Sequence, residues 1–368
     1  AVKPAELSGH KLAKYLVKKV QNYRTYDDNT VLNFFILLTQ NFLTIFSGPP
    51  GVGKTSICEI LAHVMGLSSF GEQLTAEQQA LWDSPMARSR FLPVSVERGW
   101  TSKRDFVGYY NPLSKTFESI DPLRRQAFAE LDTEHRLGIA NVPFVMMLDE
   151  ANLSPMEYYW GDFMRICDKR NGTNAYVSLG GDAQYRIPDT LRFVATINND
   201  FTTENLSPRL LDRASIVTLP DLEVTGIGIV NDDEVLPAVS WEEMQKYFGP
   251  SASQTHKSEV LSILSSIYDR FTMIGMPVSM RTRLAIQNYV SAASRIFTDT
   301  DQPGYIAAVD FAVMQRLLPR INGNGDAYRL GLSDLKTVLD TNGLTRSSRV
   351  LEGILARGDA SMDWYRFF

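Results

Sequence analysis

Gly48-Pro49-Pro50-Gly51-Val52-Gly53-Lys54-Thr55 fits the phosphate-binding pattern G-x-x-x-x-G-K-[ST] at every fixed position. The stretch lies between an apolar run, Phe42-Leu-Thr-Ile-Phe46, and a helical pattern from Ser56 to Met65. Strand, loop and helix therefore stand in the order that gives the pattern its mechanical meaning. The glycines let successive backbone N–H groups curl around the β- and γ-phosphates, and the opening turn of the helix adds its positive dipole end. Lys54 would neutralise phosphate charge and the Thr55 hydroxyl would ligate Mg²⁺, with Pro49, Pro50, Val52 and Ser56 completing the expected nucleotide-binding set.

The rest of the composition sets bounds. A chain of 368 residues that is 44% hydrophobic holds one large core plus a satellite domain. The net charge of −5 argues mildly against a surface devoted to nucleic acid, although a local basic strip is compatible with an acidic average. Only Cys58 and Cys167 occur, and His10, His63, His135 and His256 are scattered without an HxxxH or HExxH arrangement, so a metal site built from nitrogen or sulfur is not expected. Two cysteines suit a reducing compartment, hence a cytoplasmic location, and Cys58 reads as a small core residue rather than a nucleophile. The most apolar stretch, Val31 to Phe46, is interrupted by Asn33, Thr39, Gln40, Asn41 and Thr44 and is too short for a membrane helix. The chain begins Ala1-Val2-Lys3-Pro4 with no methionine and no signal-peptide pattern, as expected of an excised fragment with a further domain upstream.

Residues from about 8 to 40 read as a helical lead-in, with Leu12, Tyr15, Leu16 and Val20 on one face. A polar stretch, Gly71 to Arg90, precedes a short strand, Phe91 to Val96. Trp100 to Phe117 reads as a helical start followed by a turn-rich hairpin, and a helix is expected from Pro122 to Leu137. Val142 to Leu148 runs apolar without alternation, as a strand buried on both faces does. It ends in Asp149-Glu150, and in open parallel α/β sheets ligands sit at the carboxyl ends of strands. Asp149 would hold Mg²⁺ through water and Glu150 would orient the attacking water; the alternative is ordinary acidic charge at a helix start. A helix from Pro155 to Lys169 follows, then a hairpin, Tyr176 to Ile187, turning at Gly180-Gly181. A second buried strand, Leu191 to Ile197, delivers Asn198 to the same edge, either as a sensor of the γ-phosphate or as a turn asparagine beside Asn199 and Asp200.

Phosphate loop, strand-end Asp-Glu, strand-end Asn and the segment Ser207-Pro-Arg209-Leu-Leu-Asp-Arg213, in that order, resemble the AAA+ ATPases over about residues 30 to 290. Segment 100–118 lies where the helix-2 insert branch carries its insertion, and the hairpin at Gly180-Gly181 lies where the pre-sensor-1 hairpin is found. Trp100 to Pro112 and Leu148-Asp-Glu-Ala-Asn-Leu-Ser154 look like the McrB group, whose relatives include MoxR-like ATPases and the dynein and midasin motors.

The resemblance implies an α/β nucleotide-binding core over 41–222, after the lead-in 1–40, with a parallel sheet and two β-hairpin inserts. A linker and a smaller helical lid would fill 223–368, with Asn231 to Glu234 charged in the linker. It further implies ATP and Mg²⁺ as ligands and a homo-oligomeric ring, a hexamer by analogy, in which Arg213 reaches the neighbour's γ-phosphate with Arg209 as its rival. Arg281, in Ser279-Met280-Arg281, would be the second sensor. A McrC-like nuclease partner in defence against foreign DNA is implied too, with DNA reached through that partner or a missing domain. The alternatives are a MoxR-like protein remodeller and a nucleotide-gated scaffold. Trp100, Tyr109 and Tyr110 on the insertion would touch DNA or a partner, or else pack the loop.

In the McrB group the sensor asparagine precedes a threonine-alanine-aspartate run linked with guanine use, whereas here Asn198 precedes Asn199-Asp200-Phe201. ATP is therefore expected to bind at least tenfold tighter than GTP, about 1.4 kcal/mol. Calorimetric titration with each nucleotide checks this, and equal or inverted affinities overturn it.

Overall fold

A computed structural model describes residues 6–67, 90–119, 121–168, 175–180, 183–198, 203–219, 236–251, 257–298 and 303–368. The polar stretch before Arg90, Lys169, Gly181, the Asn199-Asp200-Phe201 run and the charged linker Asn231 to Glu234 lie outside the described residues.

The unbroken apolar runs predicted as doubly covered strands do pair side by side. In chain order the strands are β1 (Leu43–Gly48), β2 (Phe91–Ser95), β3 (Tyr109–Asn111), β4 (Thr116–Glu118), β5 (Phe144–Asp149), β6 (Tyr176–Gly180), β7 (Ala183–Arg186), β8 (Leu191–Asn198), β9 (Ser215–Thr218), β10 (Asn322–Asn324) and β11 (Trp364–Arg366). The central sheet has the order β2-β5-β8-β1-β9. β8 pairs parallel with β1 on one side and β5 on the other, and β2 pairs parallel with β5. All of β1 and all but the last residue of β5 and β8 are buried, which explains why they show no polar alternation. The two expected inserts are small antiparallel hairpins, β3–β4 and β6–β7.

The helix Pro122–Leu137 shows how complete local signals fix an element. Asp121 caps it by accepting from the N–H groups of Leu123 (2.8 Å) and Arg124 (3.4 Å), Pro122 opens it, and Gly138 closes it at φ 65°. Its Glu134 forms a buried pair with Arg90, just before β2. Arg90 also donates to the Pro143 carbonyl (2.8 Å) and the Val142 carbonyl (3.1 Å), so the charge entering the core is both paired and hydrogen-bonded.

The continuous helix expected from Pro155 to Lys169 is instead two pieces, Met156–Tyr159 and Gly161–Cys167. Trp160 breaks it at φ −107°, ψ 10°. Its indole is held against Phe163 (5.6 Å) and Phe193 (5.3 Å), and the packing of that fully buried ring overrides helix continuity. Trp100 is 7% exposed and meets Tyr159 edge-on at 5.1 Å, so this aromatic packs the insert rather than presenting a surface.

The described residues fall into two compact units, one within 1–26, 41–213 and 218–247, the other within 27–40, 214–217 and 248–368. This differs from divisions at 40 and 222, and the lead-in is not one element. The helix Gly9–Gln21 belongs to the first unit and Asp28–Gln40 to the second. The reason is Asn33, buried at the heart of the second unit, where it accepts from the Tyr289 hydroxyl (2.5 Å) and exchanges two hydrogen bonds with Gln315 (3.1 and 3.2 Å). The helices Ser258–Met273, Met280–Ile296, Gly304–Arg316, Asp326–Thr341 and Thr345–Ala360 complete that unit with the hairpin β10–β11. Buried Asp310 caps the last of these, accepting from the N–H groups of Arg346 and Ser347 (both 2.8 Å), and burial raises its carboxyl pKa. Among the described residues, no helix is long and apolar enough to cross a membrane.

Replacing Glu134 by Leu should destabilise the protein by about 3–5 kcal/mol, because Arg90 then stays buried without its counter-charge. Urea unfolding of the Glu134→Leu variant measures it, and a loss below about 1 kcal/mol, the range of exposed pairs, would remove the Arg90 pair from the core's account.

Candidate nucleotide site

β1 leads straight into the glycine-rich loop. A Cβ on Gly48 would stand 2.9 Å from the Val52 side chain, so only glycine lets the loop fold back on its strand. Gly51 (φ 81°) and Gly53 (φ 87°) take left-handed conformations open to glycine, and Gly53 directly precedes the helix Lys54–Val64. Lys54 is 7% exposed, and its ammonium donates to the carbonyls of Gly48 (2.9 Å) and Pro49 (2.8 Å), which fixes the cation over the loop. Pro49 and Pro50 are exposed at the loop tip. Ser56, two residues into the helix, accepts from Arg24 Nη2 at 2.5 Å. Arg24 was not found by sequence reasoning, because its position in the lead-in carries no spacing signal relative to the loop.

The acidic edge stands beside the loop. Thr55 Oγ1 donates to Asp149 Oδ1 at 2.9 Å, bringing together the two residues predicted to serve a metal. A hydroxyl and a carboxylate oxygen suit Mg²⁺, which takes few protein ligands and completes its shell with water and phosphate oxygens. Among the described residues no group of three or more His, Cys, Asp or Glu is arranged to hold a metal ion. Cys58, buried on the loop helix, has its thiol pushed well up by burial and then by the nearby Asp149, which keeps it protonated and unreactive.

Thr196 joins the two acidic positions. Its hydroxyl donates to Asp149 Oδ1 (2.6 Å) and accepts from the Glu150 N–H (2.8 Å). Glu150 adopts φ 52°, ψ 45°, a left-handed conformation uncommon outside Gly, Asn and Asp, and the Thr196 bond helps hold it there. The carboxylate is exposed, and its Oε1 lies 3.4 Å from Asn198 Nδ2. The edge thus offers a cation, metal-binding oxygens, a carboxylate able to polarise water and an amide able to hydrogen-bond it. Thr196 was missed because β8 reads as one apolar run; its only signal is a polar residue two positions before the strand-end asparagine.

The other predicted residues lie on separate elements. Arg213 is held in its own chain by a two-pronged pair with Asp168 (2.8 and 3.0 Å), and it also donates to the Arg209 carbonyl (2.8 Å). Arg209 is exposed, and its guanidinium has no partner among the described residues. Arg281 is exposed in the first turn of Met280–Ile296 in the second unit, whereas Arg283 faces elsewhere, over the Tyr268 ring at 4.7 Å.

Comparison with known proteins agrees with this architecture. A crystal structure of a candidate ATPase from Cytophaga hutchinsonii is similar over 89% of this chain and 93% of that chain, at 14% identity and a TM-score of 0.57. The fold is that of a P-loop NTPase core. At that identity the likeness is one of fold. A family model described as a domain of unknown function, DUF8727, matches residues 234–362, outside the phosphate loop and the acidic edge. No curated protein matches the chain.

Thr196→Val keeps the side-chain shape but strands the Glu150 N–H, and should cost about 1–3 kcal/mol of stability, with Thr196→Ser restoring most of it. Denaturant titration of the three proteins reads the difference; a Val variant as stable as the parent would show that the hydroxyl bridge carries no strain.

Proposed function

We propose that this chain is an AAA+ nucleoside triphosphatase that hydrolyses ATP. The observation that carries the reading is the convergence of Lys54, Thr55, Asp149, Glu150 and Asn198 at one strand edge. The loop N–H groups and Lys54 would bind and orient the triphosphate. Mg²⁺, held by Thr55 and Asp149, would supply charge neutralisation between the phosphates. Glu150 would take the proton of the attacking water while Asn198 fixes that water and the γ-phosphate.

The finer reading rests on the resemblance carried by Leu148 to Ser154 and by the insertion at 100–118. It is a homo-oligomeric ring in the McrB manner whose turnover drives a partner nuclease or remodeller, and a cytoplasmic location fits the free thiols Cys58 and Cys167. In such a ring an arginine of one subunit completes the site of the next. Arg213 would first have to leave Asp168, whereas Arg209 is already available.

Lys54→Ala should abolish nucleotide binding in calorimetry, and unchanged affinity would refute the loop assignment. Glu150→Gln should hold nucleotide while turnover falls by about two to four decades. Mixing then locates the trans arginine. A Glu150→Gln subunit has a dead site but an intact finger, and an Arg213→Ala or Arg209→Ala subunit has the reverse. Activity should reappear on mixing with the variant that lacks the true finger, peaking near equal proportions. Mixtures that co-assemble yet stay inactive with both arginine variants would rule out a shared site.

A further inference from the structure

We propose that Asn152 is a positioning residue for hydrolysis, acting as a side-chain rung that ties the ends of β5 and β8 so that Glu150 and Asn198 face one water. The inference rests on the triphosphatase reading.

Backbone pairing between β5 and β8 runs as far as Leu148 opposite Ala195. Beyond it the chain turns left-handed at Glu150 and enters a short 3₁₀ turn, Ala151–Leu153, so ladder pairing cannot continue. Asn152 takes over from the backbone. Its Oδ1 accepts from the Asn198 N–H (3.2 Å) and its Nδ2 donates to the Asn198 carbonyl (2.8 Å), the two bonds that a strand residue would offer. The second Nδ2 proton goes to the Glu204 carbonyl (3.2 Å), and the Glu204 N–H returns to the Asn152 carbonyl (2.8 Å). Asn152 is 4% exposed, so neither amide proton has water as a ready substitute.

The turn itself is anchored independently. Tyr159 donates to the Ala151 carbonyl (2.7 Å), and Ser154 bonds Glu97 (2.9 Å), Gly99 (3.0 Å) and Trp100 (3.2 Å). Those contacts hold the segment to its own side of the sheet; Thr196 ties the Glu150 N–H to β8, and Asn152 supplies the bonds from the turn to Asn198 itself, whose carbonyl also accepts from the Thr203 hydroxyl (3.0 Å). The Glu150 to Asn198 contact of 3.4 Å therefore depends on a third side chain that touches neither the loop nor Thr55. Losing it should separate catalysis from binding.

The test uses Asn152→Ala and the near-isosteric Asn152→Asp, which keeps the acceptor and loses both donors. ATP affinity is expected to stay within about twofold while kcat falls at least about tenfold in both, with KM unchanged, the signature of a group acting only in the transition state. Added to Asn198→Ala, Asn152→Ala should cost less than about threefold more, because its effect passes through Asn198. Turnover near parental, a loss shared equally by binding and rate, or full multiplication with Asn198→Ala would overturn the proposal, as would failure of both variants to fold. A parent that binds ATP through Lys54 without turning it over would instead overturn the triphosphatase reading, and the proposal with it.

Discussion

Everything at the candidate site depends on β8 lying between β1 and β5 in parallel register. Gly48 pairs with Asn198 across one seam, and Leu148 with Ala195 across the other, so three chain ends arrive at one edge within a residue or two. Parallel strands cannot be joined by a tight turn, and each must be reached through a crossover from the far end of the sheet. That constraint places the loop, the acidic pair and the asparagine together although they lie far apart in sequence. The Thr196 hydroxyl then converts proximity into geometry by serving Asp149 and Glu150 at once.

Much of this was legible in the residues. The glycine pattern, the unalternating runs ending in Asp149-Glu150 and Asn198, and the capped helix after Asp121 are local signals, and local signals fix local structure. The sheet class came with the resemblance carried by the phosphate loop, Asp149-Glu150 and Asn198, and doubly buried strands separated by helices suit it. What escaped the reading depends on partners distant in sequence. Trp160 breaks a helix because its ring fits a cluster with Phe193, and the helix Asp28–Gln40 joins the second unit because Asn33 meets Tyr289 and Gln315. Arg24 beside Ser56 and Asp168 beside Arg213 belong to the same class, since nothing in spacing alone brings those pairs together.

The two arginines illustrate how a polar partner changes a residue's reading. Arg213 and Arg209 are equivalent in sequence terms, four residues apart near one short helix. In the fold one guanidinium is two-pronged on a carboxylate and mostly covered, while the other stands in solvent. A planar guanidinium satisfied in this way gives up two charge-assisted bonds when it takes another partner.

On the triphosphatase reading, the left-handed backbone at Glu150 sets folding and activity against each other at a single position. A population selected only for a well-folded chain would drift there toward glycine or asparagine, which adopt this conformation more readily. One selected for turnover would be held at glutamate, whose longer side chain carries the carboxylate out to the water. On that reading, a glutamate kept in this conformation is what selection for turnover, rather than for folding alone, would leave.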